Sequence, residues 1–371
     1  MTQQLIQQIL TQYGFTEGQA ASAKVHPTEK GYRNKTIPLE FSLPVRVYAP
    51  LPQTTRNLTK ISLVLFKRES GIKKRVKNAD QISTFLAKKG FPTRWPILPP
   101  GSNNYLLKIS HNNQHQLAAL YPYLPGKTIN WEAYTQKHLK LLGQVMSLTH
   151  QALTDYHSPT LPNQTRQLQV WVSQMKAYFA QSGVKQALRK KLAFQPHPNF
   201  FSKASRLLAA VGQLSPIQPL HLDFVRSNIL FNETTSLPAN NNQEKLWLDF
   251  DPDKPRQLAI SGLLDWEKTA LGPKVIDLAR TLAFLLVDCK HKPALKIKKY
   301  FLHSGYFKRG VQQPAEKERN QLVYLESLVS LFLFYDLYKF LRHNPYQDLT
   351  QNEHFVRTKK TLIQRNIIQK I

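Results

Sequence analysis

The chain has 371 residues, enough for two lobes or domains, and its 42% hydrophobic and 20% charged residues are ordinary for a soluble globular protein. Its 51 Lys and Arg stand against 23 Asp and Glu, a formal net charge of +28 that favours anionic partners: nucleotides, phosphorylated compounds, nucleic acid or an acidic membrane surface. The single Cys289 excludes an internal disulfide and any cysteine-based zinc cluster.

The start of the chain is Gln-rich and polar, without the charged lead and apolar stretch of a secretory signal. Leu5, Ile6, Ile9, Leu10 and Tyr13 have helical spacing, and Gly14 ends that helix. Ile37–Val47 is extended and Pro-interrupted, and Ile61–Lys67, ISLVLFK, is the clearest strand of the first third. Residues 73–89 read as a helix with Val76, Ile82, Phe85 and Leu86 on one side. Tyr105–Ile109 and Gln116–Tyr121 read as a further hairpin. Pro122, Pro125 and Gly126 then break the pattern. Helical spacing follows over 131–157, 164–182 and 203–213. Short candidate strands come next at Ile229–Phe231, Leu246–Phe250 and Leu258–Leu264, and the chain is helical again from Val275. Leu322–Leu341 reads as a buried helix with one strongly apolar face. The apolar runs Leu282–Val287 and Leu328–Phe334 are too short to span a bilayer, so a cytoplasmic protein without membrane insertion is expected.

This layout predicts an α+β fold. Residues 1–120 form a small strand-rich lobe, 121–127 a hinge, and 128–371 a larger, mainly helical lobe. The acids are unevenly spread. Nine of the 23 fall between Asp223 and Asp277, which points to a held cation. Within that stretch, His221-Leu222-Asp223-Phe224-Val225-Arg226-Ser227-Asn228 has the form H-x-D-x-x-x-x-N and runs into a strand. Phosphoryl transfer to an alcohol needs a carboxylate to orient the hydroxyl and take its proton, and oxygen ligands to hold a magnesium ion on the phosphates. Asp223 suits the first role and Asn228 the second, with His221 bracing the loop and Arg226 placed either to touch phosphate or to cover the surface. In GLLDWE a second hydrophobic strand ends in Asp265, another expected metal ligand. Asp277, near the start of the IDLAR helix, sits where exposed amides favour a carboxylate.

HLDFVRSNIL, GLLDWEKTALGP and IDLARTL, in that order, resemble the aminoglycoside phosphotransferase and choline kinase family. The resemblance implies a protein-kinase-like two-lobed fold, a small antiparallel-sheet lobe that binds ATP with Mg2+, and a helical lobe that binds a small-molecule acceptor. It matches Lys67 to the lysine on the ATP phosphates and Leu65 to a residue packing on adenine. It matches Asn34, in GYRNKT, to the loop over the nucleotide, and the backbone of Tyr121, Tyr123 and Leu124 to the adenine-binding hinge. Leu142-Gly143 through Leu148-Thr149-His150 resembles the helix before the acceptor region.

The chain departs from that pattern in two places. The helix glutamate that should pair with the strand lysine is missing, and Asp80 is the nearest substitute. An extra segment, Leu246–Asp253, separates Asn228 from Asp265 and adds Asp249, Asp251 and Asp253, which read as a solvated loop; Asp249 or Asp251 is the alternative to Asp265 for the metal, and the family pattern in GLLDWE favours Asp265. Pro125-Gly126-Lys127-Thr128 is not a P-loop, because Tyr121 stands where its first glycine is required. The charge of +28 disfavours a cationic acceptor and favours a neutral or anionic one. The alternatives are a nucleic-acid-binding protein, for which Lys185, Arg189, Lys190 and Lys191, then Lys292–Lys299, and Lys359-Lys360 are the basic runs, and a regulatory ATP-binding protein on the same scaffold.

Overall fold

The computed structural model describes residues 2–30, 34–52, 55–111, 114–234, 248–249, 257–308, 316–344 and 346–371. The chain divides into two compact units. The first comprises Met1–Lys127, Ile229–Lys245 and Ala259–Lys268, and the second comprises Thr128–Asn228, Leu246–Leu258 and Thr269–Ile371.

The first unit opens with helices α1 (Gln3–Gln12) and α2 (Glu17–Ser22). A six-stranded antiparallel sheet follows, built from β1 (Lys24–Val25), β2 (Glu29–Lys30), β3 (Lys35–Tyr48), β4 (Thr55–Phe66), β5 (Leu107–His111) and β6 (Gln114–Pro122). The strand order is β1-β3-β4-β6-β5, with β2 also on β3. Helix α3 (Ile72–Lys88) joins β4 to the rest of the unit.

Alternation sorts the centre of the sheet onto two faces. Ile61, Leu63 and Leu65 share a core with Ile6, Ile9 and Leu10 of α1, with Trp95 and Ile97, and with Ala118 and Leu120 of β6. Val64 and Phe66 share the other core with Val76 of α3 and with Ala119 and Tyr121. ISLVLF is therefore buried on both faces, which is why it reads as a continuous apolar run. Each such Leu, Ile or Phe contributes roughly 2 kcal/mol of burial. Strand Ile229–Thr234 and Ala259–Leu263 of strand Gln257–Leu263 complete the unit. Gly126 lies against them with φ 123°. A Cβ there would fall 2.3 Å from Ser261 Oγ and 2.8 Å from the Phe231 carbonyl, so only glycine fits.

The second unit is mainly helical. Helix α4 (Gln136–Ala152) crosses the π-helical segment Lys299–Tyr306 at Gly143, where a Cβ would lie 2.1 Å from the Phe301 carbonyl. Helix Lys274–Asp288 packs on helix Leu325–His343. Arg280 spans the two with a two-pronged pair to Asp336, at 2.9 and 3.2 Å. Burial raises the Asp336 carboxyl, but Arg280 and Lys339 outweigh it and hold it down at about 2. In Leu325–His343 every residue from Leu328 to Phe334 is buried, so apolar packing covers more than the one face expected.

Several elements lie outside the sequence expectations. Gln218–Leu220 pairs with Ala270–Gly272, and Phe194–Pro196 pairs with Ile368–Lys370. The expected strand Leu246–Phe250 is described only at Leu248–Asp249. Asp251 and Asp253 lie outside the described residues, as do Gly31, Tyr32 and Arg33 of the expected nucleotide loop. Among the described residues no helix is long and apolar enough to cross a membrane.

Candidate active site

The HLDFVRSN segment lies wholly in the second unit, and its local geometry is fixed by short-range chemistry. The paired strands Gln218–Leu220 and Ala270–Gly272 place Leu220 opposite Ala270. The next residue on one strand is His221, and on the other the chain turns through Pro273 into helix Lys274–Asp288. This brings Asp277, the fourth residue of that helix, beneath the loop. Its carboxylate accepts the His221 N–H through Oδ2 and the Leu222 N–H through Oδ1, both at 2.8 Å. Leu222 has φ 62°, a conformation a branched residue holds only under constraint, and the Asp277 bond supplies the constraint.

Asp277 therefore pins the loop. It was expected to favour the helix start, but both oxygens are spent on loop amides, and the helix N-cap, Pro273, makes no side-chain cap. His150 supports it, with Nε2 3.1 Å from Asp277 Oδ2 and Nδ1 2.7 Å from the Tyr306 hydroxyl. The close crossing at Gly143 is what lets Tyr306 reach His150. Burial pushes the Asp277 carboxyl up. The hydrogen bond and charge of His150, with His221 and the Leu222 N–H, outweigh burial and hold it below the ordinary 3.8.

On top of this base, His221 Nδ1 accepts the Asp223 N–H at 3.2 Å. Its ring meets Phe224 edge to face, with centroids 5.3 Å apart. Asn228 ends a short helical turn, Arg226–Asn228, and donates through Nδ2 to the Asp223 carbonyl at 2.8 Å and to Asp223 Oδ2 at 3.1 Å. The amide is thereby turned so that Oδ1 points away from Asp223, where it accepts from Ser227 Oγ at 3.3 Å. Arg226 is exposed and its guanidinium donates to Asn130.

In the first unit Asp265 follows strand Gln257–Leu263 with φ 59°, a left-handed conformation that Asp tolerates better than most residues. Its Oδ1 accepts the Glu267 N–H at 3.4 Å. Glu267, which the sequence reading passed over, is buried and accepts from Asn34 Nδ2 at 2.7 Å. Asn34 in turn accepts the Lys67 N–H at 3.1 Å. Asn34, the Lys67 backbone, Glu267 and Asp265 are thus one connected group.

The Lys67 side chain stands apart from them, 60% exposed, with its ammonium 3.9 Å from Glu69. Leu65 is buried in the core with α1. Tyr121 is buried in β6 opposite Ser62 of β4, and its hydroxyl donates to Asp80. The Tyr123 N–H donates to the Lys60 carbonyl at 3.4 Å, and Leu124 follows it half-buried.

Asp80 does not serve Lys67. It is buried on α3, accepts from Tyr121 at 2.9 Å, and is hydrogen-bonded by Tyr105 with Arg94 nearby. Burial pushes its carboxyl up to about 6, with Glu267 adding to the rise and Arg94, Tyr105 and Tyr121 opposing it. A carboxyl raised on folding binds more protons in the folded chain than in the unfolded one between the ordinary 3.8 and about 6. Asp80 therefore favours folding more as pH falls through that window. Asp80→Asn is expected to remove this slope, so the stability difference between wild type and variant should change between pH 4 and 6. Chemical denaturation across that range checks it.

Among the described residues no group of three or more His, Cys, Asp or Glu side chains gathers in one place. The Asp265 carboxylate of the first unit and the Asn228 amide oxygen of the second are each hard oxygen donors, the type that suits Mg2+.

No protein-family model matches the chain, and no curated protein matches it in sequence. Solved structures do match over almost its full length. An amicoumacin kinase in complex with AMP-PNP, Ca2+ and Ami is 13% identical with a TM-score of 0.60, over 98% of this chain and 94% of that one. The chain has a kinase-like fold. An aminoglycoside phosphotransferase from Alicyclobacillus acidocaldarius is 12% identical with a TM-score of 0.55, over 95% of each chain. Choline kinase from Cryptosporidium parvum is 12% identical with a TM-score of 0.52, over 99% of this chain and 98% of that one. The kinase-like fold expected from HLDFVRSNIL and GLLDWE is thus present.

Proposed function

We propose that this chain is an ATP- and Mg2+-dependent phosphotransferase of the aminoglycoside phosphotransferase and choline kinase family, acting on a hydroxyl of a small molecule. The observation that carries the reading is the Asp223–Asn228 loop. One carboxylate and one amide are locked together in it, and the whole loop is anchored on the buried Asp277. That is the arrangement a hydroxyl acceptor and a phosphate-bound cation require, and it sits on a fold shared with small-molecule kinases.

In this reading Asp223 orients the acceptor hydroxyl and takes its proton. The Asn228 oxygen and the Asp265 carboxylate hold the cation, which when bound neutralises charge on the nucleotide phosphates. His221 keeps Asp223 in place. Lys67, Asn34, Leu65 and the Tyr121–Leu124 backbone line the nucleotide site, and Arg226 lies at the rim of the loop. A neutral or anionic acceptor suits the net charge of +28 better than a polycation. The division into a nucleotide lobe before the 121–127 hinge and an acceptor lobe after it belongs to the same proposal.

The test is thermal unfolding with and without Mg2+-ATP. A ligand at about 100 times its Kd stabilises the folded state by roughly 2.7 kcal/mol, so wild type is expected to gain several degrees only when both are present. Asp265→Asn is expected to lose that gain. Asparagine tolerates the left-handed backbone at this position better than alanine does, so the loss reports on the carboxylate and not on strain. Wild type without any Mg2+-dependent shift at millimolar ATP would overturn the proposal.

A further inference from the structure

The sequence singles out Lys67 as the cation of the nucleotide site, yet three acidic residues of the first unit, Asp80, Asp265 and Glu267, act on a different one. Arg94 follows α3 in the segment Phe91-Pro92-Thr93-Arg94. That segment is fastened on two sides. The Thr93 hydroxyl donates to the Ser83 carbonyl of α3 at 2.7 Å. On the other side the Leu263 N–H donates to the Pro92 carbonyl at 2.8 Å, and Thr93 forms a parallel bridge with Leu263, two residues before Asp265.

The Arg94 guanidinium lies 4.4 Å from the centre of the Tyr121 ring, and the Tyr121 hydroxyl is bonded to Asp80. Asp80, Asp265 and Glu267 all act on it electrostatically, and together with Tyr121 they outweigh burial and hold its charge firmly in place. Among the described residues Lys67 has only Glu69, at 3.9 Å, across a largely solvated gap.

We infer that Arg94, rather than Lys67, is the cationic strut that ties helix α3 to the Asp265–Glu267 segment and so positions Asp265. The inference rests on the proposed reading of Asp265 as a metal ligand and deepens it. A guanidinium suits this place. It is planar, stacks on the Tyr121 ring and holds its donors in a rigid fork, whereas an ammonium is a compact point charge on a flexible stem. It also fits the missing glutamate on α3. Where the helix carries the shorter Asp80, a cation brought in by the loop after α3 can meet it without reaching across from the end of β4. Arg94 is a positioning residue in this account, acting through Asp265.

The experiment is a Mg2+ titration of the ATP-induced thermal shift in wild type, Arg94→Gln, Arg94→Lys, Lys67→Gln and the double variant Asp80→Asn/Arg94→Gln. Loss of a group that orients a metal ligand costs about 10- to 100-fold in metal affinity. Arg94→Gln is therefore expected to raise the Mg2+ concentration at half-shift by about tenfold or more, with Arg94→Lys intermediate. Lys67→Gln is expected to shrink the ATP-induced shift at saturating Mg2+, because Lys67 belongs to the nucleotide site, but to raise the Mg2+ midpoint less than Arg94→Gln does, because its ammonium faces Glu69 at 3.9 Å. The double variant removes the buried charge pair together and keeps the unit folded even where Arg94→Gln alone does not. Its Mg2+ midpoint is expected to stay raised.

A wild-type Mg2+ midpoint in Arg94→Gln, or in the double variant, overturns the inference while leaving the proposed function intact. A larger rise in Lys67→Gln than in Arg94→Gln also overturns it. Absence of any Mg2+-dependent shift in wild type removes the reading of the site itself, so the two failures are distinguishable.

Discussion

Asp277→Ala is expected to destabilise the chain by about 3 kcal/mol or more and to lower phosphotransfer at least about 100-fold in the protein that still folds. The stability figure follows from the bonds lost. The His221 and Leu222 N–H groups are buried, each has its own carboxylate oxygen at 2.8 Å, and alanine replaces neither. Leaving a buried donor unmade costs roughly 1–3 kcal/mol, and His150 loses its partner as well. For a chain of this size the melting temperature should fall by about 4 °C or more.

Asp277→Asn separates the two oxygens. One amide oxygen remains, while the NH2 group faces the other N–H, so about half the loss is expected. The loss of activity has a separate cause. Leu222 is held at φ 62° by Asp277, and release lets the backbone next to Asp223 relax to an ordinary conformation. The pH dependence carries the same sign. Because the Asp277 carboxyl is held below 3.8 in the folded chain, its contribution is present above that value and fades as pH falls through its lowered range. Urea unfolding of wild type and both variants, at neutral pH and in acid, checks these expectations. An Asp277→Ala chain as stable as wild type would mean that the loop holds itself.

How far the fold and the site were legible in sequence follows from the range of the forces involved. ISLVLF, the α3 pattern and the long helices announce themselves because burial imposes a period on neighbouring residues. The motif H-x-D-x-x-x-x-N was equally readable. Its spacing is local, and the Asn228 and Asp223 bonds close within five residues. What was not legible depends on residues far apart in the chain.

The Asp277 carboxylate meets amides 55 and 56 positions earlier, through two three-residue strands too short to show a pattern. Glu267 meets Asn34 across 233 positions. Asp80 looked like a stand-in partner for Lys67 because both fall at the expected spacing. Only the folded path of Pro92–Arg94, fastened to α3 and to Leu263, shows another cation reaching it first. Asp277 carried one available signal, an acid in the first turn of a helix whose N-cap, Pro273, makes no side-chain cap.

The same logic bears on the acceptor. A basic chain gains little from steering a polycation to its surface, and more from concentrating nucleotides and anionic or neutral alcohols near Asp223. Asp223→Asn is the variant that separates chemistry from binding here. Asparagine has nearly the same shape and retains an oxygen for the Asn228 amide, now at 3.1 Å from Asp223 Oδ2, and the His221 bond involves only the backbone N–H. The loop should therefore stand, and the Mg2+-ATP thermal shift should stay within about a degree of wild type.

What asparagine cannot do is take a proton. A positioned general base contributes about 10²- to 10⁴-fold, so transfer of the γ-phosphate to an acceptor is expected to fall by that factor while KM for ATP changes little. The measurement is transfer of labelled γ-phosphate across a panel of neutral, anionic and cationic alcohols, using whichever acceptor wild type turns over. Retention of more than about a tenth of the wild-type rate would show that Asp223 orients the hydroxyl without accepting its proton. The cation and the phosphates would then carry the step, with Asp265 and its Arg94 support as the side chains on which the rate depends.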